Sequence, residues 1–188
     1  MQPAPEPGAR RAQIATTARL TLREIDAADA PFILTLVNDP AWLRFIGDKN
    51  VRTQGDARRY IEAGPAAMYA QRGFGLWLAE RSEDRVPIGM CGLIKRDALP
   101  DIDLGFAFLP AYRGNGYAFE AAQAAIGFAW ERLGLQRVVA ITAPDNDDSV
   151  RLLERLGFRF ERMLRLSNDA PAVRLYAAQP VRRVARSG

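Results

Sequence analysis

The chain has 188 residues, a formal net charge of +4 and a sequence pI of about 9.6. The excess charge lies at the two ends: residues 1–15 and 179–188 contain five arginines and one acid, and the remaining 21 basic and 21 acidic residues balance. A body without net charge lacks the positive field that steers proteins onto nucleic acid. The composition therefore argues against a nucleic-acid partner.

The sequence contains no histidine and a single cysteine, Cys91. Without imidazole the chain lacks the commonest general base and any histidine-based metal site, and one thiol cannot hold zinc or close an internal disulfide. We therefore expect no metal, and a base that is a carboxylate, a tyrosine or a water. No apolar run approaches the ~18 residues that cross a bilayer, and the N-terminus lacks the apolar segment of a signal peptide, so we expect a cytoplasmic protein.

A chain of this length fits one domain. The first residues are rich in proline and have too little apolar mass to pack. We therefore predict a flexible N-terminal tail at residues 1–15, a single domain at 16–178, and an arginine-containing C-terminal tail at 179–188.

Within the domain, alternating apolar residues predict a strand at 19–23. A short helix is expected at 29–37, with Asp29 near its N-cap, and helical spacing predicts a second helix over 55–71. Strand patterns follow at 75–80, 87–95 and 101–109, then a helix over 118–133, a strand at 137–142, a helix after residue 149, and two further strands.

A glycine-rich turn, Arg113-Gly-Asn-Gly-Tyr-Ala118, lies between the strand at 101–109 and the helix at 118–133. The first N–H groups of a helix have no intrahelical partners and lie at the positive end of its dipole, and glycines let a ligand approach the backbone closely. The turn is therefore a candidate anion site. It lacks the Lys-Ser/Thr pair of a P-loop, and Phe119 together with an acid-free following strand excludes a dinucleotide turn.

The spacing of Arg113, Gly116 and Ala118 resembles the Arg/Gln-x-x-Gly-x-Gly/Ala pyrophosphate loop of the GCN5-related N-acetyltransferases (GNAT). A second segment, with Asn146 and Ser149 followed by a helix ending in Gly-Phe at 157–158, resembles the second signature of that family. Residues 17–23 and 29–32 resemble the opening strand and helix of the subgroup that includes ribosomal-protein N-terminal acetyltransferases of the RimJ and RimL type. The likeness spans residues 17–178.

The resemblance implies an α/β protein with the single-domain GNAT fold, in which a central, mostly antiparallel twisted sheet has helices on both faces. It also implies an enzyme that moves an acetyl group from acetyl-CoA to a primary amine, either a protein N-terminal α-amine or a small-molecule amine, by direct attack. Its partners would be acetyl-CoA and the amine acceptor, without a membrane. A homodimer stays open.

The resemblance further implies which residues bind the coenzyme. Its pyrophosphate would lie on the turn, and main-chain groups of the preceding strand would hold the pantetheine arm. The Asn146 amide would meet the same arm, although an asparagine in a turn before a helix is also an ordinary feature. The residues assigned to the turn are Arg113, Gly114, Asn115, Gly116, Tyr117, Ala118 and Phe119, and those assigned to the strand are Phe106, Ala107 and Phe108.

Asp103 is the candidate general base, because it stands where relatives often carry a glutamate, two residues before a strand glycine. An ordinary polar strand residue is the alternative, and Glu80 and Asp97 are weaker rivals. Ser149 would either cap the following helix or face the departing thiolate. Many family members have a tyrosine acid at the position of Leu153, so a tyrosine acid is in doubt.

Two other functions stay open. A coenzyme A-binding sensor or an inactive relative would keep the turn and lack a working base. A nucleic-acid-associated protein would use the arginine-rich tails. Cys91, inside an apolar strand, is expected in the core and not in an acyl-enzyme.

Overall fold

The computed structural model describes residues 12–180, so most of the two predicted tails lies outside the described residues. An eight-stranded sheet runs in the order β1-β2-β3-β4-β5-β6-β8-β7. The strands are β1 (Gln13–Thr16), β2 (Leu20–Arg23), β3 (Leu76–Arg81), β4 (Pro87–Lys95), β5 (Ile102–Phe108), β6 (Val138–Thr142), β7 (Arg159–Leu164) and β8 (Val173–Ala178). Neighbouring strands are antiparallel, except for the parallel pair of β5 and β6.

Six α-helices surround the sheet within residues 12–180. They are α1 (Ala30–Val37), α2 (Pro40–Phe45), α3 (Gln54–Ile61), α4 (Ala67–Arg72), α5 (Tyr117–Glu131) and α6 (Asp147–Arg155). A wider turn at Glu62–Ala66 joins α3 to α4 and contains Pro65, whose missing N–H interrupts the regular ladder. The long helix predicted over 55–71 is confirmed with this interruption. None of these helices is long and apolar enough to cross a membrane.

Each face of the sheet has its own core, so helices cover both faces as predicted. Helices α5 and α6 cover one face, where Trp77, Leu93 and Leu104 are buried. Four alanines of α5 are fully buried there, and their small side chains let the helix lie close to the strands. Helices α1, α2 and α3 cover the other face, where Leu78 and Met90 are buried.

Three local features add to or differ from the predictions. β1 pairs with β2 from Gln13 onward, so the sheet begins before the predicted domain start at residue 16. Helix α2 was not predicted, because six residues are too few for a periodic pattern. Asp29 is the N-cap residue of α1 as predicted, but its carboxylate does not cap the helix and accepts hydrogen bonds from Arg23 and from the Asp26 N–H instead.

The feature that positions the site is a gap between β5 and β6. β4 and β5 pair continuously from Gly89–Phe108 to Lys95–Ile102, whereas β5 and β6 are paired in the described chain only at Asp103 and Val139. Beyond Asp103, toward their carboxyl ends, the two parallel strands form no further ladder pair in the described chain. Ligands of α/β sheets commonly bind at such a place.

Candidate functional site

The N-terminus of α5 faces the chain segment that follows β5. Gly116 is its N-cap residue and has φ 82°, and Gly114 has φ 75°; both lie in the left-handed region that favours glycine. No side chain caps the helix, and the first main-chain bond runs from the Glu120 N–H to the Gly116 carbonyl at 3.1 Å. The N–H groups of Tyr117, Ala118 and Phe119 are therefore available to an anion.

Arg19 braces this turn from the start of β2. Its Nη1 donates to the Asn115 carbonyl at 3.0 Å, and its guanidinium lies 4.5 Å from the centre of the Tyr117 ring. Glu120, in the first turn of α5, accepts hydrogen bonds from Arg19 Nε at 2.7 Å and from the Thr17 hydroxyl at 2.6 Å. Glu120 is thus neutralised by a partner from outside the helix. Sequence reasoning missed this brace, because its partners lie about a hundred residues apart.

The Arg113 side chain turns away from the helix N-terminus. Its Nε donates to the Phe108 carbonyl at 2.8 Å, and its Nη2 lies 2.5 Å from Oδ2 of buried Asp39. The same Asp39 oxygen caps α2, accepting from the N–H groups of Ala41 and Trp42 at 3.1 and 3.3 Å. Arg113, which the sequence assigned to the coenzyme turn, therefore has a structural role: its side chain ties the turn to α2.

The main chain of β5 alternates between its two neighbours. The Leu109 N–H donates to the Ile88 carbonyl at 2.9 Å, so the groups of Leu109 face β4. Because successive residues of a strand face opposite sides, Ala107 also faces β4, while Phe106 and Phe108 face the gap. Arg113 already occupies the Phe108 carbonyl. Ala107 is thus misassigned as a main-chain ligand, and Phe106 offers both an N–H and a carbonyl.

Asn146 lies across the gap, where β6 leads into α6. Its Oδ1 accepts the Ser149 N–H at 3.2 Å, so Asn146 is the N-cap of α6 and its Nδ2 stays available. The alternative in which Ser149 caps this helix is therefore wrong. Ser149 is half-buried in the first turn, and its hydroxyl is not needed for capping.

Asp103 lies on β5 where the gap begins, and 1% of its surface is exposed. Its Oδ2 accepts a hydrogen bond of 2.5 Å from Arg96 Nε, while Oδ1 has no partner within residues 12–180. Burial raises the pKa of the Asp103 carboxyl to about 6, and the Arg96 charge opposes this shift only in part. A carboxyl with that pKa is mostly ionised at pH 7 and still accepts a proton readily.

The rival carboxylates are placed elsewhere. Glu80 is buried and bound to Arg23 Nε at 2.8 Å, so it belongs to a structural charge network. Asp97 is exposed in the turn after β4. Leu153 is buried in the core, which leaves no tyrosine acid at that position. Among residues 12–180 no three carboxylate, thiol or imidazole side chains form a group that could hold a metal ion.

The face of the sheet that carries Asp103 also carries the side chains from which an acceptor cleft would be built. Tyr60 of α3 is partly buried, and burial raises the pKa of its phenol to about 12 and keeps it neutral. Trp42 of α2 is buried, and its indole N–H has no partner in the described part of the chain. Arg44, also on α2, reaches Asp145 beside Asn146 at 2.8 Å. Helix α2 therefore spans from the coenzyme turn to the far side of the gap.

Comparison with known proteins identifies related chains. A family model described as "Acetyltransferase (GNAT) domain" matches residues 19–159. The "Uncharacterized N-acetyltransferase YoaA" of Bacillus subtilis (strain 168) is 31% identical over 155 residues, which cover 81% of this chain and 86% of that protein.

Solved structures share the fold. An acetyltransferase from Agrobacterium tumefaciens str. C58 aligns with a TM-score of 0.77 and 24% identity over 94% of this chain and 100% of that one. RimL, a ribosomal L7/L12 alpha-N-protein acetyltransferase in complex with coenzyme A, aligns with a TM-score of 0.76 and 21% identity over 89% of this chain and 98% of that one.

Proposed function

This chain belongs to the acetyltransferase (GNAT) family of acyl-CoA-dependent enzymes that acetylate amines, and on that premise we propose that its acceptor is a primary amine whose nitrogen attacks acetyl-CoA directly. The acceptor is either a protein N-terminal α-amine or a small-molecule amine. Two observations support the proposal: no side chain caps the N-terminus of α5, and β5 and β6 are paired in the described chain only at Asp103 and Val139. The RimL likeness, in a protein named for an alpha-N-protein substrate, supports the first acceptor class.

Acetyl-CoA is placed along this gap by three groups. The N–H groups of Tyr117, Ala118 and Phe119 hold its diphosphate, with Gly114, Asn115 and Gly116 forming the turn that admits it. The Phe106 carbonyl accepts a pantetheine amide N–H, as it would from an added strand. The free Nδ2 of Asn146 donates to the same arm from the opposite wall.

The chemistry then needs a neutral amine. An α-amine with a pKa near 8 is about one-tenth neutral at pH 7, whereas a lysine with a pKa near 10.4 is neutral to well under one part in a thousand. The amine nitrogen attacks the thioester carbon, and the proton it sheds passes through a water to Asp103. A water is required because the Asp103 carboxyl is buried. A carboxylate base suffices for an α-amine, which matches a chain without histidine.

The carbon–sulfur bond breaks as the amide forms, and coenzyme A leaves as a thiolate. The Phe106 N–H stabilises the negative charge that develops on the thioester oxygen. The hydroxyl of Ser149 or a water returns a proton to the thiolate.

Cys91→Ala is expected to leave the transfer rate within about twofold of the wild type. Cys91 is fully buried in β4, and burial raises the pKa of its thiol well above the usual range, so no nucleophilic thiolate is available. Steady-state thiol release by the folded variant measures this. Loss of all activity in a variant that still binds coenzyme A would instead indicate an acyl-enzyme.

A thiol-release screen tests the proposed function. The purified chain is incubated with acetyl-CoA and a panel of N-terminally free peptides, the same peptides with blocked N-termini, and small primary amines. We expect amine-dependent release of free coenzyme A and an acetylated product by mass spectrometry. A rise of the melting temperature with coenzyme A, without thiol release for any amine, would identify a sensor and contradict the proposal.

A further inference from the structure

Arg96 holds the Asp103 carboxyl from the turn that joins β4 to β5. Its Nε lies 2.5 Å from Oδ2, and the Arg96 side chain is 36% exposed while Asp103 is almost completely buried. The pair therefore has one member inside the sheet and one at the surface of the acceptor side. The guanidinium engages Oδ2, and Oδ1 is also buried but has no hydrogen-bond partner within residues 12–180.

The turn that carries Arg96 is itself fixed. The Leu99 N–H donates to the Arg96 carbonyl at 3.2 Å, and Lys95 Nζ donates to the carbonyls of both Arg96 and Leu99. The Leu99 side chain is buried in a small core with Val139 and Leu175. Arg96 thus projects from an anchored main chain, which favours a defined position for its guanidinium.

The other groups around Asp103 leave Arg96 as the charge that acts on it. On the neighbouring strands, the residues in register with Asp103 are the apolar Ile94 and Val139. From α3, Tyr60 stays neutral, and Lys95 is engaged by turn carbonyls. At the start of β5, Asp101 is paired with Arg137 at 3.0 Å. The main chain of Ile141 in β6 lowers the pKa of Asp103 less than Arg96 does.

Resting on the proposed role of Asp103 as the proton acceptor, we propose that Arg96 is a positioning residue that engages Oδ2 and so leaves Oδ1 as the atom that receives the proton. A buried carboxylate oxygen without a partner is costly, and an active site is one of the places where such an atom is retained. The arginine keeps the carboxyl ionised in a surrounding that favours its neutral form. Arg96 does not contact the reacting atoms; it acts through Asp103.

Two consequences distinguish this role from mere structural support. Without the guanidinium, the pKa of Asp103 rises, so the acid limb of the kcat/KM profile moves to higher pH. A positive charge at this distance lowers the pKa of a carboxyl by about one to three units. Lysine restores the charge without the planar, directional donors of arginine. We therefore expect lysine at this position to raise the pKa of Asp103 less than an uncharged residue does.

The experiment compares the wild type with Arg96→Gln and Arg96→Lys, and uses Arg137→Gln as the matched control. Arg137 is a similarly exposed arginine that pairs with another carboxylate at the start of β5. The Asp103 carboxyl is titrated by carbon-13 NMR, with its signal assigned through Asp103→Asn, and kcat/KM for acetyl transfer is measured from pH 5 to pH 9. The Kd for coenzyme A reports on the fold of each variant.

We expect the Asp103 midpoint and the acid limb to rise together by about one pH unit or more in Arg96→Gln, by less in Arg96→Lys, and not at all in Arg137→Gln. An unchanged Asp103 midpoint in Arg96→Gln overturns the inference, as does a raised midpoint with an unmoved acid limb. If the wild type transfers acetyl to no amine, the proposed function fails, and the NMR midpoint alone decides whether Arg96 controls Asp103.

Discussion

Asp103→Asn is expected to lower kcat/KM for acetyl transfer by about 10²- to 10⁴-fold, which is the range that a positioned general base contributes. Asparagine has nearly the same shape as aspartate and does not accept the proton of the amine. Because Asp103 lies at the inner end of the gap and α5 begins beyond its outer end, the Kd for coenzyme A should stay within about twofold. Initial rates of thiol release and a coenzyme A titration measure the two quantities.

The pH profile of the wild-type enzyme also reports on the Asp103 carboxyl. Burial raises the pKa of Asp103 to about 6, so we expect kcat/KM to fall about tenfold per pH unit below that value, on top of the titration of the amine. The matched control is Asp101→Asn, two residues earlier, whose carboxylate pairs with Arg137. This control should transfer acetyl at nearly the wild-type rate. Equal rates for Asp103→Asn and wild type would remove Asp103 from the mechanism.

Arg23→Met is expected to lower the free energy of unfolding by about 3–5 kcal/mol, the usual cost of removing one partner from a buried charge network. Arg23 is 4% exposed and binds Asp29 through both Nη groups at 2.8 Å and Glu80 through Nε at 2.8 Å. Without the guanidinium, two buried carboxylates are left without their shared countercharge. The network links β2, β3 and the turn before α1, so the loss affects the packing of both layers.

Urea unfolding followed by circular dichroism measures this effect. Replacing the whole network, as Arg23→Met with Asp29→Asn and Glu80→Gln, should recover part of the lost stability, because no unpaired charge is then buried. The control is Arg59→Met, which removes an arginine that is 73% exposed from its pair with Asp56 and should leave the unfolding midpoint unchanged. A wild-type midpoint for Arg23→Met would show that the network contributes nothing.

Local features of the sequence predicted the coenzyme side well. Gly116 has the left-handed conformation and α5 begins directly after it, because a glycine before an apolar helical run defines both within a few residues. The cap of α6 was misplaced by three residues: the sequence offered Ser149, whereas Asn146 takes the N-cap position, and both residue types are favourable there. The alternation of apolar residues along 101–109 predicted the strand β5.

The features that sequence reasoning missed depend on distant contacts. Nothing near Arg113 indicates Asp39, which lies 74 residues earlier, so the arginine was assigned to the phosphate instead of to α2. From the sequence alone, the Glu80 carboxylate is a candidate base. The fold pairs it with Arg23, which lies 57 residues earlier in the chain. The side to which Ala107 directs its main chain follows from the register between β4 and β5, which the residue types alone do not encode.

The central claim is that the amide hydrogens at the start of α5 hold the diphosphate of the coenzyme. It is tested most directly by nitrogen-15 NMR of the full chain during titration with coenzyme A and, separately, with pantetheine, which lacks the diphosphate. We predict large shifts of the Tyr117, Ala118 and Phe119 amide signals with coenzyme A and much smaller ones with pantetheine. Saturation with coenzyme A that leaves these three signals in place would contradict the account.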